Sequence, residues 1–196
     1  MDNPEQKYYQ AIYDAGIENY GGSPFPLSDF SLNPKSNSFL TDSFVYYLIG
    51  NKTKFNSILD VGCGNKYFIK YVRNHIKISA WGIDFACPNA DQIADILDLP
   101  FENKQWDLVT AWDVLEHLRP EQVDVGLKEL SRVSNTFAFI ISRYPARPFE
   151  PVPYHNLHPT VWSKEKWIEH IEKFGKIKQI TSHETRKKEL YMGKWF

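Results

Sequence analysis

Ser57-Ile58-Leu59-Asp60-Val61-Gly62-Cys63-Gly64-Asn65 is the stretch on which the reading of the chain turns. A short apolar run ends in an acidic residue and then meets two glycines, the pattern of a strand that opens into a ligand loop. Residues without Cβ let a bound group approach the backbone closely. A helix starting just beyond directs its free amide groups at the same place. Taken alone, the segment also reads as an ordinary turn. It does not complete the dinucleotide fingerprint G-x-G-x-x-G, because Tyr67 stands where the third glycine would be and would block helix packing and pyrophosphate approach.

Outward from this loop, short apolar runs alternate with amphipathic stretches, which predicts a parallel sheet flanked by helices. The strands are expected at Ser57–Val61, Ile78–Phe85, Trp106–Ala111 and Thr136–Ser142, with helices at Lys66–Asn74 and Pro120–Ser134. In the second helix Val123, Leu127 and Leu130 share a face. Farther on, Ser163 can cap a helix whose Trp162 and Trp167 occupy the positions of a hydrophobic staple, and Ile168, Ile171 and Phe174 continue its apolar face to Gly175. Ile177–Ser182 and Leu190–Phe196, joined by the charged Glu184–Glu189, predict an antiparallel pair closing the sheet edge. Upstream, Asn3 and Pro4 open a helix carrying Tyr8, Tyr9, Ile12 and Tyr13, ended by Gly16. A Gly-, Pro- and Ser-rich segment over 20–40 follows, including Tyr20-Gly21-Gly22, long enough to fold over a pocket. A further helix spans Thr41–Ile49 and stops at Gly50.

Gly82-Ile83-Asp84 closes the next strand about twenty residues after the glycine loop. A carboxylate there can accept hydrogen bonds from both hydroxyls of a ribose, and the two strand ends would be neighbours at the edge of an open α/β sheet where ligands collect. Then come Ala94-Asp95-Ile96-Leu97-Asp98-Leu99-Pro100-Phe101 and, in Trp106–Leu118, the segment Val114-Leu115-Glu116-His117. With these stretches the chain resembles the class I, Rossmann-like S-adenosylmethionine-dependent methyltransferases, of the small-molecule type, which carry the Leu-Pro-Phe turn and the Leu-Glu-His strand end. The resemblance runs in order and spacing from Ser57 to Ser142 and more loosely through the C-terminal strands.

That resemblance implies a single-domain three-layer α/β sandwich, with a helical and lid segment over 1–50 ahead of a methyltransferase domain over 51–196. It implies S-adenosylmethionine as cofactor and S-adenosylhomocysteine as product. The loop Asp60, Gly62, Cys63 and Gly64 would hold the methionine moiety, Asp84 the ribose, Asp95 the adenine amino group, and backbone at Ala111 and Trp112 the methionine end, with Phe85 and Ile96 also among the cofactor-binding residues. Two departures stand out. Lys66 replaces the third glycine often found in the family loop, and only eleven positions separate Asp84 from Asp95, so the usual intervening helix must be absent or reduced.

On the acceptor side, displacement at a sulfonium needs no protonation of the leaving group, so positioning carries much of the catalysis. A base is needed only if the acceptor must lose a proton, and histidine suits that role near neutral pH. His117, His155 and His158 are the candidates, each weighed against a hydrogen-bonded structural role. Glu116 can instead tie down a backbone amide. No metal site is expected.

The 196 residues suffice for one domain with a sizeable core. The net charge of −1 gives no global reason to bind nucleic acid or an anionic membrane. Residues 84–125 hold ten acidic and two basic side chains and 163–196 nine basic and five acidic, read as solvated surface rather than as binding patches. Cys63 and Cys87 form no metal or disulfide spacing and are expected as free thiols. With no basic, apolar leader and no apolar run of about 18 residues, a cytoplasmic location is expected. The catalytic strand shows Ala111-Trp112-Asp113 in place of the elements usual in DNA-modifying relatives, and no room remains for a target-recognition domain. A small-molecule O- or N-acceptor is therefore expected. An RNA or peptide acceptor using the basic C-terminal strands, and a non-catalytic cofactor-binding module, remain as alternatives.

Overall fold

Alternate residues of each central strand enter opposite cores. Leu59, Val109, Phe137, Phe139 and Ile141 face one side of the sheet, and Ile58, Leu108, Ala138 and Ile140 face the other. Burial on both faces is what a parallel sheet with helices above and below requires. The computed structural model describes residues 39–145 and 156–196 together with Gln6 and Gln10. The expected Asn3–Gly16 helix and the segment up to residue 38 thus lie outside the described residues, apart from Gln6 and Gln10, both helical.

The strands are β1 (Ser57–Val61), β2 (Ser79–Asp84), β3 (Gln92–Ile93), β4 (Trp106–Trp112), β5 (Ser134–Ser142), β6 (Gly175–His183) and β7 (Lys188–Trp195). They form one sheet in the order β3-β2-β1-β4-β5-β7-β6. β1 to β5 pair parallel, and β7 is antiparallel to both β5 and β6. The chain leaves β3 and crosses back to lay β4 on the far side of β1, so the strand order reverses between β1 and β4. Such a switch point opens a crevice beyond the carboxyl ends of the strands.

Helix α1 (Phe39–Gly50) buries Leu40, Phe44, Val45 and Leu48 on one face of the sheet, beside α2 (Tyr67–Tyr71). The helix expected at Lys66–Asn74 is real but divided, α2 passing into a π-helical turn over Val72–Ile76. On the other face α3 (Pro120–Val133) buries Val123, Leu127 and Leu130, and α4 (Lys164–Ile171) buries Trp167 and Ile171. Ser163 caps α4 by accepting from the Lys166 amide, and the Trp162 and Trp167 rings pack with centroids 4.9 Å apart. α4 stops at Ile171, short of the expected Gly175. The helix between β2 and β3 is absent. In its place Asp91 accepts the Gly82 amide and two cationic side chains, and β3 is only two residues long.

Candidate active site

Two carboxylates stand at the carboxyl ends of adjacent strands. Asp60 lies beside Gly82 on β2 and Thr110 on β4. Thr110 Oγ1 donates to Asp60 Oδ1 at 2.6 Å. Burial, reinforced by nearby Asp84 and offset by this hydrogen bond, pushes the Asp60 carboxyl up to about 8. Asp84 works differently, as a clamp on two loops. Its Oδ2 accepts the Gly64 amide at 3.0 Å, and its Oδ1 accepts the Ala86 and Cys87 amides at 2.9 and 2.8 Å. Phe85, next in sequence, receives the Gln6 side-chain amide on its carbonyl at 3.0 Å.

The glycine loop is held against β2 by the Gly62 and Cys63 amides, both donating to the Ile83 carbonyl at 2.9 Å. Gly62 has φ +73°, and a Cβ there would come 2.4 Å from Val114 Cγ2. The absence of a side chain is thus a steric requirement of the site. Burial raises the Cys63 thiol far above the ordinary range, which disfavours the nucleophilic thiolate. Lys66 holds the left-handed conformation expected of the missing glycine, with φ 61°, and sends its ammonium 2.9 Å to Asp91. Its charge is consumed by that partner.

Asp95 accepts the Leu97 amide on Oδ1 at 2.9 Å and closes a tight turn by bridging Asp98. Ile96 is buried against the α3 side of the core. Ala111 is buried on β4, and the Trp112 ring packs 5.0 Å from Phe44 and 5.2 Å from Phe68.

Beyond β4 the chain makes a 3-10 turn over Leu115–His117. Glu116 is fully buried and accepts the Ser142 amide on Oε1 at 2.9 Å, the backbone tether anticipated for it. Burial and the neighbouring Asp113 carboxylate hold its carboxyl well above the usual range. His117 and His158 meet edge to face with ring centroids 4.7 Å apart. Burial pushes His117 down to about 3, helped by His158 and Lys188 and opposed by a hydrogen bond to the Leu157 backbone. Burial also lowers His158, whose Nδ1 lies 2.6 Å from the Tyr144 carbonyl. His155 lies outside the described residues. Sequence reasoning missed Asp113, held in the left-handed region with φ 52° and reached by Lys188 Nζ at 2.6 Å across 75 positions of chain. Nothing local marks that pair. Asp91, which ties Lys66 and Arg73 to the loop region, was missed for the same reason.

A family model described as a methyltransferase domain matches residues 36–181. The chain belongs to the methyltransferase domain family. Its fold is that of the S-adenosylmethionine-dependent class I methyltransferases. The methyltransferase is structurally similar to an S-adenosylmethionine-dependent methyltransferase from Clostridium acetobutylicum ATCC 824, with a TM-score of 0.65 and 15% identity over 98% of this chain and 99% of that one. It is also similar to magnesium protoporphyrin IX methyltransferase from Synechocystis PCC 6803, solved with bound SAH, at a TM-score of 0.64 and 13% identity, covering 97% of this chain and 98% of that one. Geranyl diphosphate C-methyltransferase from Streptomyces coelicolor A3(2) gives a TM-score of 0.63 and 12% identity over 100% of both chains. No curated protein sequence matches the chain. No helix among the described residues of the methyltransferase is long and apolar enough to cross a membrane.

Proposed function

We propose that this methyltransferase carries a methyl group from S-adenosylmethionine to an oxygen or nitrogen of a small-molecule acceptor. The observation that carries the reading is the juxtaposition of Asp60, the bare Gly62 turn and Asp84 at the switch point of the sheet. The site fits the cofactor on its own terms: a bare glycine turn with positive φ at the end of β1, a buried carboxylate for cationic groups, and a second carboxylate at the neighbouring strand end for ribose hydroxyls. In this reading Asp60, Gly62, Cys63 and Gly64 hold the methionine part, Asp84 and Phe85 the ribose, Asp95 and Ile96 the adenine. Ala111 and Trp112 contribute backbone at the methionine end. When bound, the cofactor supplies an electrophilic methyl group on sulfur. The chain's part is to fix the acceptor in line with it, which can supply roughly 7–11 kcal/mol of the barrier, and to shield the site from water.

His117 and His158 stand past the ends of β4 and β5 at the same edge, where the acceptor would lie. Burial keeps both imidazoles neutral, so either can face an acceptor without adding charge. A small acceptor is favoured over RNA or peptide because much of the basic C-terminal third is already engaged. Lys173 pairs with Asp124, Lys176 with Glu172 and Lys188 with Asp113, while Arg143 forks onto the fully buried Glu189.

Calorimetry with S-adenosylmethionine and S-adenosylhomocysteine tests the cofactor site, and absence of binding would overturn the reading. Asp84→Ala is expected to weaken binding by about 1.5–3 kcal/mol, the worth of hydrogen bonds to a charged group. Unchanged affinity would move the ribose elsewhere. Labelled methyl transfer into a metabolite fraction, with an RNA pool and a peptide pool as the other arms, identifies the acceptor class.

A further inference from the structure

We propose that Glu116, His117 and His158 form a binding site for a divalent first-row transition-metal ion at the carboxyl edge of β4 and β5. One ligand atom from each of the three lies within 4.8 Å of the others. His158 Nδ1 lies 2.6 Å from the Tyr144 carbonyl, so the proton belongs on Nδ1 and the lone pair on Nε2. His117 likewise spends one ring nitrogen on the Leu157 backbone. Histidines that ligate metals are oriented in this way, the second nitrogen donating to a backbone carbonyl.

Glu116 completes the set. Its Oε1 is satisfied by the Ser142 amide, but its Oε2 is buried with no hydrogen-bond partner. A carboxyl oxygen orphaned in a fully buried residue demands an explanation, and a cation shared with ligand atoms of His117 and His158 supplies one. Lys188 is committed to Asp113 at 2.6 Å, so its ammonium is held by another carboxylate.

The cluster is also rigid. The Thr160 amide donates to the Glu116 carbonyl at 3.3 Å, and Thr160 Oγ1 donates to the Leu118 carbonyl at 2.6 Å, so the segment bearing His158 is stitched to the turn bearing Glu116 and His117. Two imidazoles and one carboxylate suit zinc, cobalt, iron or manganese rather than calcium or magnesium, and three protein ligands leave coordination positions open. On the reading that this edge receives the methyl acceptor, an acceptor oxygen would take such a position. That role rests on the proposed function, whereas the metal site itself does not.

The test uses the full chain, stripped with a chelator and titrated with Co2+ alone while its visible ligand-field bands are followed. About one equivalent should bind, and Zn2+ should displace it. His158→Gln and Glu116→Gln should each weaken Co2+ binding by at least about tenfold, while His75→Gln, an exposed histidine on the π-helical turn, should leave it unchanged. Glu116→Gln retains the side-chain shape and an acceptor for the Ser142 amide, and far-ultraviolet circular dichroism verifies that each variant is folded. No saturable binding by the unchanged chain, or equal binding by both folded variants, would overturn the site. Cofactor calorimetry on the metal-free chain separates the two proposals. Cofactor binding without Co2+ binding sinks only the metal site, and Co2+ binding without cofactor binding sinks only the methyltransfer reading.

Discussion

Asp60 is 1% exposed yet carries an ionisable group beside the glycine turn proposed to hold a cationic cofactor. Because burial raises its carboxyl to about 8 from an ordinary 3.8, the folded chain holds a proton that the unfolded chain releases. The stability tied to this group is complete below the unfolded value and is lost as pH rises from there through about 8. Asp60→Asn, which can still accept from Thr110, is therefore expected to be more stable than the unchanged chain above pH 8 by at least about 1.4 kcal/mol, the worth of one pKa unit. Denaturation midpoints across pH would show it. A cationic cofactor beside the carboxylate should also expel that proton, so cofactor affinity should rise with pH towards 8 and fall flat in Asp60→Asn. Calorimetry in buffers of different ionisation enthalpy measures the released proton. At Lys66, φ 61° is strained for any residue with a Cβ, and the Asp91 ion pair offsets part of the strain. Lys66→Ala loses the pair and keeps the strain, while Lys66→Gly loses both. The glycine variant should exceed the alanine variant in urea stability by about 1 kcal/mol. Equal midpoints would show the backbone there to be unstrained.

At the scale of elements, the site depends on where each strand ends. β1 ends at Val61, where Gly62 adopts a positive φ and Val114 leaves no room for a Cβ, and β4 ends where Asp113 turns left-handed and donates its amide to the Ile140 carbonyl. α4 is fixed from both ends. Ser163 caps its start, while His170 and Lys173 reach Asp124 on α3 at 2.6 and 2.8 Å. Ser163→Ala should cost about 1 kcal/mol, seen in urea denaturation. It should leave cofactor affinity untouched, since α4 lies away from the glycine loop. A larger loss accompanied by weaker cofactor binding would show that α4 reaches the site.

For the molecule as a whole, the sheet is locked by β7 inserting between β5 and β6. Trp195 packs 4.3 Å from the Phe137 ring centroid, and its Nε1 donates to Ser134 Oγ at 2.9 Å. Gly193 must remain bare because a Cβ would lie 2.3 Å from the Lys176 carbonyl and 2.5 Å from Phe137. Trp195→Ala empties this joint and should cost about 3–5 kcal/mol in chemical denaturation. A loss under about 1 kcal/mol would mean that the last strand adds little to the core. Strand identities and helix faces were legible in the sequence because hydrophobic periodicity is local: Ile58 and Leu59 alternate faces, and Val123, Leu127 and Leu130 repeat at helical spacing whatever their neighbours. The glycine loop and Asp84 were legible for a similar reason, since a strand end followed by residues lacking Cβ is itself a structural statement. What only the tertiary structure decided are the meetings of distant residues: Thr110 with Asp60, Lys188 with Asp113, and Glu116 and His117 with His158. Charge, burial and lone-pair direction belong to the space between elements, and no spacing along the chain specifies that space until the sheet has been assembled.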